Sequence, residues 1–573
     1  MIRTQPSSWS WWILGLSTSI CAAQGTLSVT VHEAGRDALL PCRAWVQAGD
    51  QRLFEPEGHE CTPYKKDRSF SCEGSFTMEV PAGRVVVHVE RGKEYVPYET
   101  QINITAGAKN RLQIPLERWI NLSAQGWYSA DLHVHFGHDN PGILRQLARA
   151  DDVNLVPAFT YWNEFPEQWP TWHRVNLDAT PSQQLVNPKA SPTHLLTLRN
   201  VEIERIGGDP YHSVGALLIF GLTQPIHVER HDHTWPPDAV LARMAKQSSP
   251  DCVIDTDKPQ WGENVVGVAL GLFDSVQLCH NHFHRESSMR MCCGMALAEV
   301  RDGKIWPEAN ELLAKTNETY YRWLNCGFRL AATGGSAMGV MPAPLGYSRT
   351  YAKLDGPLTA KNYLKAVRAG RTFATSGPMV YLTVDGREVG STIECASSPA
   401  KSLKARVEVR GVRAVTSFQP PAGEDGAAKW KRTVRYEPIG TIELLHDGRV
   451  IAHQAAGASQ LSGSTVPPHV LEATIEPRRS GWLAARVMYE DPPGHRRQAH
   501  TSPVYLMVDG QPTASKPDAE YMIRWVDRLL EISAEPERYS RNEDRAEAQE
   551  LYREARAVYE RIARTAAEVW GDQ

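Results

Sequence analysis

From Thr26 onward apolar residues alternate with polar ones: Leu27, Val29 and Val31 share one face, and Val85, Val87 and Val89 repeat the period after Pro81-Ala82-Gly83. Short strands and turns of this kind predict a β-sandwich over residues 24–117. Between residues 118 and 378 the texture changes. The run from Leu195 to Ile203 predicts a strand, the run from Gly142 to Ala150 predicts a helix, and alternation of such runs indicates an α/β unit. Strand-like alternation returns at Val380, Leu382 and Val384, with turn signals at Asp385-Gly386 and Asp447-Gly448, predicting a second β-sandwich over residues 379–510. Over residues 511–573 the period becomes helical, with Leu551, Ala555, Val558, Tyr559, Ile562 and Ala566 on one face. The expected class is therefore multidomain, α/β plus β, with a helical tail. A length of 573 residues, more than one core supports, agrees with that division.

Charge narrows the choice of partner. Lys and Arg number 62 against 66 Asp and Glu, and no basic run interleaved with aromatics forms a stripe that could track phosphates, so no nucleic-acid partner is expected. Arg3, the apolar stretch Trp11 to Ile20 and the small residues Cys21-Ala22-Ala23 read as a signal peptide over residues 1–23. The mature chain is then expected to be exported, periplasmic or extracellular, without a membrane span. An oxidising compartment would permit one disulfide among Cys42, Cys61 and Cys72, with the pair left open. Cys292 and Cys293 are adjacent and no C-x-x-C pair exists, which disfavours a cysteine zinc site.

Three segments carry metal-binding chemistry. In Asp131-Leu132-His133-Val134-His135, side chains two apart share a strand face, so both imidazoles can reach one ion. In Asn200-Val201-Glu202-Ile203-Glu204 the apolar pair takes one face and the carboxylates the other; Glu202 is the favoured ligand, and His212 follows beyond the turn Gly207-Gly208-Asp209-Pro210. In Asp274 to His284, the residues His280, His282 and His284 are expected to share a face with Val276 and Leu278 at a polar barrel mouth, as ligands or as substrate contacts. His231-Asp232-His233 precedes Trp235-Pro236-Pro237 and reads as loop.

The motif Asp131-Leu132-His133-Val134-His135 resembles the opening metal motif of PHP (polymerase and histidinol phosphatase) domains. Gly370-Arg371-Thr372-Phe373-Ala374-Thr375-Ser376-Gly377-Pro378, followed by Val384-Asp385-Gly386 and Gly390, resembles the closing stretch of the CehA/McbA-type metallohydrolases. With Leu324 to Arg329 and Gly334-Gly335-Ser336, these motifs span roughly Gly126 to Gly390. The resemblance implies a distorted (β/α)7 barrel with metal at the C-terminal mouth of its strands, hydrolysing ester, carbamate or phosphate-type bonds. It also implies ligand positions at His133, His135, Glu202 and His212.

The departures from that pattern are specific. Thr160-Tyr161-Trp162-Asn163 stands where the family carries Asp-His-Asn, Gly335-Ser336-Ala337-Met338-Gly339 where it carries Gly-Ser-Asp-x-His, and Asp255-Thr256-Asp257-Lys258-Pro259 near where a His-Pro is common. The expectation is a reduced site holding one divalent ion, zinc, manganese or iron. A water activated by that ion would attack a small-molecule substrate, with Lys258, Arg285 and Arg329 as candidate stabilisers of developing negative charge. The alternative is a non-catalytic binding protein, for instance for carbohydrate, using Trp162, Trp169 and Trp172.

Overall fold

The structure is a computed structural model. It describes residues 23–58, 61–64, 68–135, 141–162, 184–185, 193–205, 215–224, 226, 234–283, 309–341, 343–412, 414–415, 435–436, 439–457, 467–490 and 494–570. Strand outweighs helix, and α/β and all-β regions follow one another along the chain.

Residues Gln24–Leu116 build two sheets. In the smaller, Gln24–Glu33 pairs antiparallel with Ser75–Pro81 and parallel with Lys109–Leu116. In the larger, the order is Cys61–Tyr64, Ser69–Cys72, Cys42–Ala48, Gly83–Glu90, Tyr98–Ile104. The alternating valines turn inward: Leu27, Val29, Val31, Val85, Val87 and Val89 meet in one core between the two sheets.

The central region contributes nine strands, besides the short Gln184–Leu185 paired to the third of them, to a larger sheet: β1 (Trp127–Ala130), β2 (Leu155–Trp162), β3 (Leu195–Arg205), β4 (Gly215–Phe220), β5 (Val253–Asp255), β6 (Ser275–Cys279), β7 (Ala331–Gly334), β8 (Arg349–Lys353) and β9 (Thr372–Thr375). They lie in the order β7-β6-β5-β4-β3-β2-β1-β8-β9. The first seven run parallel except β4, which is antiparallel to both neighbours. Helices α1 (Pro141–Ala150), α2 (Asp238–Ser248), α3 (Asn264–Ala269) and α4 (Ala309–Asn325) connect these strands, and α5 (Ala360–Arg368) joins β8 to β9. The chain leaving β7 returns to the chain leaving β1: Leu132 N–H donates to the Gly334 carbonyl, and Val134 bridges Met338 in parallel.

One face of the sheet packs on the helices, and the other combines polar groups with a second apolar cluster that includes Leu155, Phe159, Leu218 and Phe220. Val201, Ile203, Val276 and Leu278 pack against the helices. Facing away from them, the Asp255 carboxylate accepts from Ser275 and Thr333, and Gln277 donates to the Leu132 carbonyl. Two C-terminal helices, α6 (Lys516–Ser533) and α7 (Asn542–Trp570), complete the apolar core. Leu551, Ala555, Tyr559 and Ala566 of α7 are buried, and the Tyr559 hydroxyl donates to the Val265 carbonyl in α3. The central sheet also continues into the C-terminal strands, because β9 pairs with Arg496–Thr501. A further core joins Trp127, Tyr351 and Phe373 to Val380, Leu382, Val384, Val407 and Val487.

Buried ion pairs fasten the N-terminal sheets to the loop after α1. Arg43 grips Asp151 through Nε and Nη2 at 2.9 and 2.5 Å, while Arg91 and Arg118 meet Asp152 at 2.9 and 3.4 Å. Asp152 has a φ of 49°, a left-handed conformation that a short polar side chain tolerates. Removing one partner of such a pair strands the other charge in a dry interior. Arg43→Ala is therefore expected to lower unfolding stability by about 3–5 kcal/mol in chemical denaturation. A denaturation midpoint equal to that of the parent protein would contradict this reading.

Candidate metal centre

The centre forms where the ends of β1 and β7 meet. Asp131 turns the chain as it leaves β1: its buried carboxylate accepts from the backbone N–H groups of His133, Ser336 and Gly346 at 3.1, 2.8 and 2.7 Å. The next residues are locked in extended form, with Met338 N–H bonded to the His133 carbonyl and His135 N–H to the Met338 carbonyl. Close passage of the two segments requires glycine at 335, since a Cβ there would stand 2.4 Å from the His133 Cβ. The period-two expectation for His133 and His135 thus holds in an extended segment just past the strand.

Their Nε2 atoms lie 3.0 Å apart, and Oε2 of Glu202 on β3 lies 3.5 Å from that of His133 and 3.1 Å from that of His135. These are the three donors that converge as a possible ion-binding group among the described residues. The fit to a divalent ion is good in size, because an ion about 2.1 Å from each donor sits just above so small a triangle. It is also good in chemistry: Oε2 of Glu202 is buried and makes no acceptable hydrogen bond among the described residues. Phe159 on β2 closes one side, its ring 5.6 and 5.3 Å from the two imidazoles.

Asp257 and Lys258 support the group from the chain leaving β5. Asp257, at φ 55°, brings Oδ1 to 3.3 Å from His133 Nδ1. Its other oxygen accepts from the Trp261 indole at 3.0 Å and contacts the Lys258 ammonium. Burial penalises charge on every member, and the opposite charges decide the outcome. For His133, burial is outweighed by Glu202 and Asp257, and its pKa is pushed up to about 10. His135 is pushed down to about 4 by burial, with the charge on His133 adding to the effect. Asp257 is held well below the usual carboxylate range because Lys258 and His133 overcome its burial. Lys258 is raised, since Asp257, Glu204 and Glu202 outweigh its own desolvation.

The other predicted site residues are not among the three converging donors. Strand parity with Val276 and Leu278, which pack on the helical side, does not carry to His280 and His282, because β6 ends at Cys279 after a register shift between Gln277 and Cys279; His280 is buried near enough to Lys258, Asp257 and His133 for their charges to act on it. His280 Nε2 lies 3.2 Å from the Thr316 hydroxyl of α4, and its Nδ1 accepts from the His282 backbone N–H. Neither imidazole belongs to the converging group. Arg329 is also corrected as a charge stabiliser: it precedes the opposite end of β7, with its guanidinium 4.5 Å from the Tyr505 ring centroid. Glu204 is half-buried on the Glu202 side of β3. Ala337 and Gly339 occupy the chain beside the centre and offer no ligand atom. His212, Arg285, His231, His233, His284, Trp169 and Trp172 lie outside the described residues, as do the side chains of Tyr161 and Trp162. Asp257 was not assigned from sequence; Asp255-Thr256-Asp257 after an apolar run was the available signal.

No protein-family model matches the chain, and a search of curated proteins finds no match.

In competition titrations against a chromogenic chelator, His133→Ala is expected to abolish high-affinity binding of zinc or manganese. Asp257→Asn, which weakens the support of the His133 ring, should lower affinity by about 10–100-fold, and an unchanged affinity would contradict its role. His133 is charged at pH 7 in the ion-free protein and must lose a proton to ligate. Binding should therefore release a proton and tighten as pH rises. Calorimetry in buffers of different ionisation enthalpy reads that proton directly.

Proposed function

We propose that the chain is an exported hydrolase that uses one divalent ion, zinc, manganese or iron, to cleave an ester, carbamate or phosphoester bond in a small molecule. The observation that carries this reading is the buried convergence of His133 Nε2, His135 Nε2 and Glu202 Oε2. The scaffold in this reading is a distorted (β/α)7 barrel of the PHP type. Its support is the seven-strand order β1 to β7 and the bonds from the chain leaving β7 back to the chain leaving β1. A centre at the C-terminal ends of largely parallel strands is where such sheets hold their chemistry.

When bound, a divalent ion supplies Lewis acidity and brings the pKa of a coordinated water to about 7. The protein's own groups do the rest. Asp257 faces Nδ1 of His133 and so favours the tautomer that leaves Nε2 free to ligate. Phe159 lowers the local dielectric, which strengthens each electrostatic contact. Lys258 holds a fixed positive charge beside Glu202 and Asp257, in position to stabilise negative charge that develops on substrate oxygen. The same ammonium, with Ala337 and Gly339 nearby in place of ligands, favours one ion over two. Residues 1–22 are outside the described part, so export rests on the sequence pattern; no described helix is long and apolar enough to cross a membrane.

One observation favours a second reading, a non-catalytic binding protein. Without an ion the centre already balances its charges, His133 against Glu202 and Asp257, and Lys258 against Asp257.

The two readings separate in one experiment. Protein loaded with zinc, manganese or ferrous iron is expected to hydrolyse at least one class in a panel of aryl esters, carbamates and phosphodiesters. That activity should disappear with a chelator, and His135→Ala should cost more than the about 10–100-fold typical of a supporting residue. Stoichiometric ion binding without turnover on any class would favour the binding protein.

A further inference from the structure

Three cysteines stand side by side in the larger N-terminal sheet. Cys72 ends its strand, and its register partners are Cys42 on one neighbouring strand and Cys61 on the other. All three are buried thiols. The sulfurs of Cys42 and Cys72 are 3.6 Å apart, and the Cys61 thiol also hydrogen-bonds that of Cys72. Directly opposed residues of antiparallel strands have Cα atoms about 4.5–5.5 Å apart, inside the range of about 4.4–6.8 Å that a disulfide spans. Cys42 and Cys61 are two strand spacings apart, about 9.5 Å, beyond the limit of about 7 Å. Either bond must therefore include Cys72, and both cannot exist at once.

The strand that holds Cys61 has a second attachment. It lies at an edge of its sheet and ends at Tyr64. The Tyr64 hydroxyl lies 2.9 and 3.1 Å from the carbonyls of Met341 and Ala343 and 3.5 Å from the Gly339 N–H. Met338, at the start of that loop, bonds the backbone of both His133 and His135. A bond that fixes Cys61 to the sheet also fixes the brace beneath the two imidazoles.

We propose that Cys42, Cys61 and Cys72 form a thiol–disulfide switch in which Cys72 pairs with either neighbour, and that the Cys61–Cys72 bond fastens the edge strand carrying Tyr64. The oxidant is a small disulfide such as oxidised glutathione. Exposure sets the order of events, since Cys61 is 7% exposed against 0% for Cys42 and Cys72. The Cys61 thiolate attacks one sulfur of the small disulfide and releases one small thiolate. The Cys72 thiolate then attacks Cys61 sulfur, expels the second small thiolate and closes Cys61–Cys72. Two protons leave the protein thiols, and the small disulfide takes up the two electrons. Attack by Cys42 thiolate on Cys72 sulfur moves the bond to Cys42–Cys72 and returns Cys61 as a thiolate. Contact with Cys42 and Cys61 supports the central role of Cys72, holding its thiol well below the usual range, while Cys42 is pushed up. The coupling to the imidazoles rests on the proposed metal centre; the pairing of the cysteines does not.

The test is disulfide mapping of the full-length native protein equilibrated across a series of reduced and oxidised glutathione, with remaining thiols alkylated before digestion. The expected products are Cys61–Cys72 and Cys42–Cys72 peptides, with no Cys42–Cys61 link. Cys42→Ser should trap Cys61–Cys72, and Cys61→Ser should slow oxidation of the other pair. Cys72→Ser or Cys72→Ala should form no disulfide within the protein among these residues, leaving Cys42 alkylatable and Cys61 either alkylatable or held as a mixed disulfide with glutathione. A Cys42–Cys61 link, three alkylatable thiols at every poise in the parent protein, or a Cys42–Cys72 bond forming at an unchanged rate in Cys61→Ser would each overturn the proposal.

Discussion

The centre depends on a carboxylate outside its donor triad. Asp131 is fully buried, and its pKa stands raised to about 6 because burial outweighs the three backbone N–H groups that point at it from two segments more than 200 residues apart. A buried carboxylate is tolerable only when such donors satisfy it. The requirement therefore fixes where the chain leaving β1 crosses the chain leaving β7. His133 and His135 inherit their positions from that crossing, and Gly335 makes it close enough.

Electrostatics completes what the crossing begins. His133, His135, Glu202, Asp257 and Lys258 all sit in a nearly dry interior, where an uncompensated charge is costly. Each carboxylate faces a cation and each cation faces a carboxylate, so the cluster is tolerable only as a whole. An ion at the triad would replace the proton that His133 holds, while Asp257 and Lys258 keep their pairing. This explains why a protein with few ligands can still present a tight donor set, and why the charge balance suits one ion.

Much of the site was legible because it follows strand parity. The spacing Glu202-x-Glu204, with Val201 and Ile203 on the opposite face, survives folding because Asn200–Arg205 pairs in regular register with β4, and His133-x-His135 survives because the Met338 backbone holds that segment extended. Parity failed at His280 because β6 ends at Cys279 after a register shift, so Val276 and Leu278 face the helices while the imidazole lies between Thr316 in α4 and the charges of Lys258, Asp257 and His133. Nothing local in the sequence distinguishes a strand's outer face from its inner one when both are buried. Asp257 was invisible as the partner of His133 because its placement needs a left-handed turn after β5 and a neighbour from β1. The division into β, α/β and β regions was readable from periodicity. The pairing of β9 with Arg496–Thr501, which runs one sheet through two of those regions, was not, because register between distant segments leaves no local mark. The same limit applied to the cysteines: Cys42, Cys61 and Cys72 were visible as a cluster, but only the register places Cys72 between the other two.

Anomalous diffraction from crystals of the full chain grown with zinc or manganese tests the central claim most directly. The account predicts a single anomalous peak within bonding distance of His133 Nε2, His135 Nε2 and Glu202 Oε2, with Asp257 and Lys258 still paired beside it. No peak between those three atoms in crystals that hold the metal elsewhere, or a second ion seated at Lys258, would contradict it.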